Sequence, residues 1–371
     1  MPEPVLWPLD DHTRAKHKVL IKYLDAWLPV MGLQAQKLPH AAGCGPRLLI
    51  VDGFAGPGCY EGREPGSPIL MLNALLNHTA LPKMRDVQFY LLFIEQDARR
   101  VHHLQCLLQN IKRPSNVEVY LEHGAFEETF GGLVDKIKGQ DHSLIPTFAF
   151  IDPFGYSAVS MSLTCKFLDF PRSEALFFLP LSFVHRFVGR AGQETALTNL
   201  FNSDRWREAI PLEGADRSTF LLKLFEQQLR SQEQVKHVRS FELHTKEGNE
   251  YRLVFATQHD RGLELMKEAM WSVDPVQGTR YVGHTDTGQQ VLFQPEVDTR
   301  PLLSLLRVAF GKAWFSVADA EKAMLSSDYV ASRHLKTLTL KPAEREGVLI
   351  VKRTSGSRAG TFTNSARMRF A

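Results

Sequence analysis

Four short runs in this chain end an apolar stretch with residues that could do chemistry. The first is Leu48-Leu49-Ile50-Val51-Asp52-Gly53-Phe54-Ala55-Gly56-Pro57-Gly58, an apolar strand followed by an acid and a glycine-rich turn. Gly56 and Gly58 admit backbone angles that are costly for other residues, and they leave the main chain bare for a ligand. The second run, Gln88 to Ile94, ends at Glu95. The third, Val117 to Leu121, leads into His123-Gly124-Ala125-Phe126. The fourth, Thr147 to Ile151, ends at Asp152-Pro153-Phe154-Gly155. In a parallel sheet the residues just past the strand carboxyl ends converge on one crevice. Four such ends in this order predict a nucleoside-cofactor site. Asp52, Phe54, Gly56 and Gly58 would take the cofactor's close approach. Glu95 would accept the two ribose hydroxyls. Ala125 and Phe126 would pack on the adenine, and Asp152, Pro153 and Phe154 would face the acceptor. Asp97 competes with Glu95 for its role, and Phe126 also reads as core. Glu61 stands where a dinucleotide fingerprint has its third glycine, and no phosphate-binding lysine follows the turn.

The elements that must position these groups follow from periodicity. Val19, Leu20, Tyr23, Leu24, Trp27 and Leu28 fall at helical spacing between Thr13 and Met31, with Thr13 as N-cap. Gly66-Ser67-Pro68 reads as a helix start that runs to about Asn77. Strands at 88–94, 117–121, 147–151 and 175–181 alternate with helices, which predicts a doubly wound parallel sheet. Val238–His244 and Tyr251–Gln258 alternate as an antiparallel hairpin, and Gly262 to Trp271 is a helix. From about Arg300 the order is three short helices (301–310, 316–325, 329–340), then a hairpin of 348–352 with 361–363. That order predicts a winged helix-turn-helix. The boundaries are 1–290 for the sheet domain and 300–371 for the winged module.

The net charge of +3 hides an asymmetry. Nine Lys/Arg and two acids lie between Val330 and Ala371, which leaves the rest of the chain acidic. Arg333 and Lys336 on the last helix, with Lys352, Arg353 and Arg358 on the wing, are the candidate nucleic-acid contacts; a solvated basic tail fits the charge equally well. The four cysteines are scattered without ligand spacing, so no metal is expected and a reduced, cytoplasmic protein is. No run of about 18 apolar residues exists, so no membrane span is expected.

The Asp52–Gly58 turn resembles motif I of class I S-adenosylmethionine (SAM) methyltransferases, which implies a Rossmann-like sheet and SAM as cofactor. Asp152-Pro153-Phe154-Gly155 resembles motif IV of methyltransferases that act on exocyclic amines of bases, nearest to the form in tRNA guanine dimethyltransferases. The resemblance implies that an acid and a carbonyl meet the amine while the aromatic ring stacks on the base. An amine nitrogen needs acceptors that align its lone pair rather than a strong base. No cysteine follows at a nucleophile position, which disfavours methylation of cytosine carbon. Together with the Lys16-His17 helix bearing Tyr23 and Trp27, the Gly66-Ser67-Pro68 start, the segment 253–257 (LVFAT) and the segment 262–275 (GLELMKEAMWSVDP), these motifs resemble the three-Cys-motif partner (TcmP) family over nearly the whole chain. That resemblance implies a radical-SAM-like three-Cys-motif protein as partner. Asp52 and Glu95 stand farther apart than the usual ~20 residues, and the excess around 62–77 is placed to cover the cofactor or substrate.

The expectation is therefore a SAM-dependent methyltransferase acting on an exocyclic base amine of RNA or DNA. Two rivals remain at this point. One is a magnesium-dependent nuclease using Asp52, Glu95 and Asp152 as ligands. The other is a non-catalytic partner that presents nucleic acid or protein to the three-Cys protein.

Overall fold

The computed structural model describes residues 5–37, 45–140, 143–245, 248–282, 296–353 and 358–371. Cys44 and the tip of the predicted wing, 354–357, lie outside the described residues.

The fold is α/β with a mostly parallel central sheet. The sheet's elements run α1 (Asp11–Ala35), β1 (Arg47–Asp52), α2 (Ser67–Leu76), β2 (Gln88–Glu95), α3 (Ala98–Gln109), β3 (Val117–His123), α4 (Phe126–Gly139), β4 (Thr147–Ile151), α5 (Met161–Leu168) and β5 (Ser173–Leu179). They continue with α6 (Leu181–Phe187), α7 (Glu194–Phe201), α8 (Gly214–Arg230), β6 (His237–His244), β7 (Glu250–Thr257), α9 (Asp260–Trp271) and β8 (Arg280–Val282). Among the described residues the strand order is β3-β2-β1-β4-β5-β7-β6-β8. Strands β1 to β5 pair in parallel, and β7 runs antiparallel to both β5 and β6. The order reverses between β1 and β4, so the chain leaves this switch point toward opposite sides of the sheet. Buried apolar residues on both faces explain why the central strands read as continuous apolar runs: every residue of β4 and β5 is buried.

Helix α1 lies on one face and buries Val19, Leu20, Tyr23, Leu24, Trp27 and Leu28, as its periodicity predicts. It begins at Asp11 rather than at a Thr13 cap. Its anchor is polar. Glu174 on β5 is fully buried and accepts from Tyr23 Oη at 2.6 Å, from Trp27 Nε1 at 2.7 Å and from the Thr257 hydroxyl. Burial raises the Glu174 carboxyl, and those three donors pull it back. Such a group is tolerated because its acceptor sites are filled. Helix α2 packs with α1 in the same core through Met71, Leu72 and Leu75. Against the expectation that 62–77 covers the cofactor or substrate, α2 turns Met71, Leu72 and Leu75 into the core, and of this segment only Gly66 and Ser67 line the cleft described below.

The C-terminal unit holds α10 (Arg300–Phe310), β9 (Phe315–Ser316), α11 (Val317–Ala323), a π-helical segment over Ala331–Leu340, α12 (Lys341–Arg345), β10 (Leu349–Lys352) and β11 (Arg367–Phe370). The strands form a three-stranded sheet of order β10-β11-β9 around a separate apolar core. The return strand is Arg367–Phe370 and not 361–363. Its alternation of Arg367, Met368, Arg369 and Phe370 turns Met368 and Phe370 inward, whereas Phe362 is buried from a stretch without strand pairing. The unit is docked on α9. Lys267 is 1% exposed; its Nζ lies 2.6 Å from Glu264 and donates to the Tyr329 carbonyl at 2.8 Å. Trp271 Nε1 donates to the Asp328 carbonyl at 2.7 Å, and Arg239 pairs with the Asp328 carboxylate.

Candidate active site

Beyond the carboxyl ends of β1, β4 and β5 lies a cleft of ≈ 350 Å³, of the size that suits a small ligand. The sheet itself sets the start of its glycine turn: Gly53 N donates to the Phe150 carbonyl on β4 and Ala55 N to the Ile94 carbonyl on β2, each at 2.9 Å. Gly56 and Gly58 both take positive φ, 63° and 85°. A Cβ on Gly58 would lie 2.7 Å from Leu104 of α3, so this glycine answers to packing as well as to conformation.

Phe54, Gly56 and Gly58 line one side of the cleft; Asp152, Pro153 and Phe154 line another. The two strongest motifs of the sequence therefore face one cavity. Asp52 lies beneath it and is fully buried. Its Oδ1 accepts from Phe54 N at 3.2 Å, and its Oδ2 has no hydrogen-bond partner. Burial pushes its carboxyl up to about 7; the nearby Ser67 hydroxyl and Phe54 amide oppose the rise, Asp152 adds to it and Lys16 opposes it.

Glu95, Ala125 and Phe126 are not among the lining residues. Glu95 is spent on the main chain: Oε2 accepts from Gly56 N and Oε1 from Asp97 N, both at 2.8 Å. It thus ties the glycine turn to the end of β2. Asp97, its rival, caps α3 through Arg99 N. Phe126 is core, stacked on Phe130 and tilted against Phe54 at 5.3 Å. Ala125 is the N-cap of α4.

Several residues at or beside the cleft come from outside the sheet motifs. Lys16 of α1 reaches Asp152, with Nζ 2.5 Å from Oδ2 and side-chain exposures of 6% and 19%. The same ammonium lies 4.2 Å from the centre of the Phe178 ring. Trp7 sits over the glycine turn, where its ring would lie 3.5 Å from a Cβ on Gly56. Phe154 is 64% exposed and meets Trp7 edge-on at 5.2 Å. The guanidinium of Arg100, from α3, stacks on both rings at 4.9 Å. His17, half of the Lys16-His17 pair, contacts Tyr60 at 3.4 Å; burial, with Lys16 and Arg14 nearby, holds it down to about 3. Signals for two of these were present in the chain. Lys16 interrupts the buried stripe of α1 two helical turns before Tyr23, and Arg100 shares the buried face of α3 with Leu104 and Leu108. A long cation on an apolar face marks a group that has a partner.

No family model and no curated protein matches the chain. Solved structures align with it distantly. An O-methyltransferase from Bacillus cereus in complex with SAH shares 11% identity over 64% of this chain and 80% of its own, with a TM-score of 0.34. TomG, an O-methyltransferase from Streptomyces achromogenes in complex with SAM, shares 13% over 68% of this chain and 92% of its own, at 0.33. A precorrin-6y C5,15-methyltransferase from Geobacter metallireducens shares 11% over 62% and 87%, at 0.28. Likeness this distant carries no weight for this chain's chemistry, which is read below from its own strand order and cleft.

The carboxylates of the nuclease reading do not converge: Asp52 is sealed below the cleft, Glu95 holds amides and Asp152 pairs with Lys16. Among the described residues no group of three or more His, Cys, Asp or Glu is arranged to hold a metal. Of the basic residues of the C-terminal unit, Arg333, Lys336, Lys352 and Arg358 are exposed. Arg353 is engaged instead, forked onto Glu344 at 2.6 and 2.5 Å. Lys352 lies 4.5 Å from the Trp314 ring. Among the described residues no helix is long and apolar enough to cross a membrane.

Proposed function

We propose that this chain is a SAM-dependent methyltransferase acting on an exocyclic amine of a nucleic-acid base. One observation carries the reading. At the switch point of the sheet, a bare-backbone glycine turn and the Asp152-Pro153-Phe154 turn share one cleft. The residues present fit a nucleoside cofactor with a cationic end. A Cβ on Gly56 would meet the Trp7 ring that lines the cleft, so the bare turn leaves its backbone open on that side. When bound, SAM supplies an electrophilic methyl group. The chain's own residues do the rest: the glycine turn holds the cofactor, Asp52 is buried beneath that turn, and Asp152 accepts from the amine and directs its lone pair. Phe154 offers an open ring face for the base, and the aromatic wall of Trp7, Tyr60 and Phe178 limits water. Glu95 acts by fixing the turn from behind, with its ribose role kept only as a second contact.

The C-terminal unit reads as a winged helix whose Arg333, Lys336, Lys352 and Arg358 face nucleic acid, and the TcmP resemblance supplies a radical-SAM-like three-Cys-motif protein as partner in the cytoplasm. Labelled SAM incubated with total tRNA, rRNA or DNA, with and without the three-Cys protein, tests the reading. Transfer to one pool that disappears in Asp152→Ala supports it. SAM binding without transfer to any pool favours the non-catalytic partner instead.

A further inference from the structure

We infer that Lys16 is a positioning residue for the acceptor, acting through Asp152; the inference rests on the methyl-transfer reading above. Lys16 does not belong to the sheet that supplies the rest of the site. It arrives on α1, and the Tyr23 and Trp27 bonds to buried Glu174 set the register of that helix two and three turns further on. The side chain is buried, its ammonium is 2.5 Å from Asp152 Oδ2, and the Phe178 ring covers another side of it at 4.2 Å.

Folding does not require this arrangement. Desolvating an ion pair offsets most of its attraction, and an apolar pair of the same size is often as stable. The pair opens onto the cleft, and its geometry does something useful there. A carboxylate that ends a strand can rotate about its own axis. With Oδ2 held by Lys16, Asp152 has one orientation and presents Oδ1 to an incoming N–H. The cation also balances the Asp152 charge, which lines the cleft. Loss of this restraint misplaces an acceptor by a fraction of an ångström to an ångström, which is enough to slow a positioned reaction about 100-fold.

The test uses full-length Lys16→Met, Lys16→Arg, Asp152→Asn and the Lys16→Met/Asp152→Asn double variant. Turnover in Lys16→Met is expected to fall about 10- to 100-fold. SAM affinity by calorimetry and acceptor KM should stay within about threefold. Lys16→Arg should recover most of the loss, because it keeps the cation. The double variant should turn over no more slowly than Asp152→Asn alone, since Lys16 acts through that carboxylate. Urea unfolding of the four cofactor-free proteins supplies a readout independent of activity, and the two single losses should again fail to add. If Lys16→Met does not fold, Lys16→Gln makes the same comparison. A neutral variant that turns over like the wild type, or losses that multiply in the double variant, would overturn the inference alone. A wild-type chain that transfers methyl to no acceptor would overturn the methyl-transfer reading, and this inference with it.

Discussion

Asp52 and Glu95, the acids that end adjacent strands β1 and β2, do different work. Asp52 is buried with its carboxyl raised to about 7 from an ordinary 3.8. The folded chain therefore holds this proton more tightly than the unfolded chain. That stabilising effect is complete below about pH 4 and is lost as the pH rises through 7. Asp52→Asn cannot ionise, so its stability relative to wild type should improve by roughly 2–3 kcal/mol between pH 5 and pH 8. Urea unfolding at the two pH values measures it, and a constant difference would mean that Asp52 does not titrate in this range. Glu95→Ala leaves the Gly56 and Asp97 amides without their acceptor. It should cost about 2–4 kcal/mol of stability and weaken SAM binding at the same time. Lost SAM affinity with unchanged stability would instead put Glu95 on the cofactor itself. Residue types and spacing made the cleft-lining glycines and Asp152-Pro153-Phe154 legible, because these lie in one contiguous run each. Lys16 and Arg100 reach the site across the fold, and Phe126 turned out to be core; partners of that kind depend on packing that no local pattern encodes.

The elements were legible in proportion to their periodicity. Strands β1 to β5 and the β6–β7 hairpin stand within a few residues of expectation, since buried parallel strands are written as unbroken apolar runs. The short helices α5 and α6 and strand β8 had too little length to show a period. The strand expected over 361–363 lies instead at Arg367–Phe370, because pairing with β9 and β10 selects that segment. The polar anchor of α1 is the elemental feature with the largest consequence. Trp27→Phe removes one donor from fully buried Glu174 and should cost about 1–3 kcal/mol by thermal unfolding. Through the displaced helix, methyl-transfer turnover should fall too. If stability falls while turnover holds, α1 does not set the site.

Across the whole molecule, the C-terminal unit is fastened to the sheet domain through Lys267 and Trp271 of α9 rather than tethered beside it. Deleting residues 300–371 strips a buried ammonium of its carbonyl partners and uncovers Trp271. Hydrogen exchange in α9 should therefore rise sharply in the truncated chain, with lowered stability; unchanged protection would make the unit a free appendage. If the proposed nucleic-acid role of exposed Arg333, Lys336, Lys352 and Arg358 holds, duplex or structured-RNA binding falls steeply with salt, and salt-independent binding would count against it. The central claim is that the glycine turn and the Asp152 turn divide one cleft between cofactor and acceptor. Calorimetric titration of SAM into the full-length chain, into Gly56→Val and into Asp152→Ala tests it most directly, since a side chain on Gly56 would face Trp7 across the cleft. The account predicts one SAM per chain for the wild type, binding abolished in Gly56→Val, and affinity within a few-fold of wild type in Asp152→Ala. No heat of binding from the wild type, or affinity lost in Asp152→Ala and kept in Gly56→Val, would contradict it.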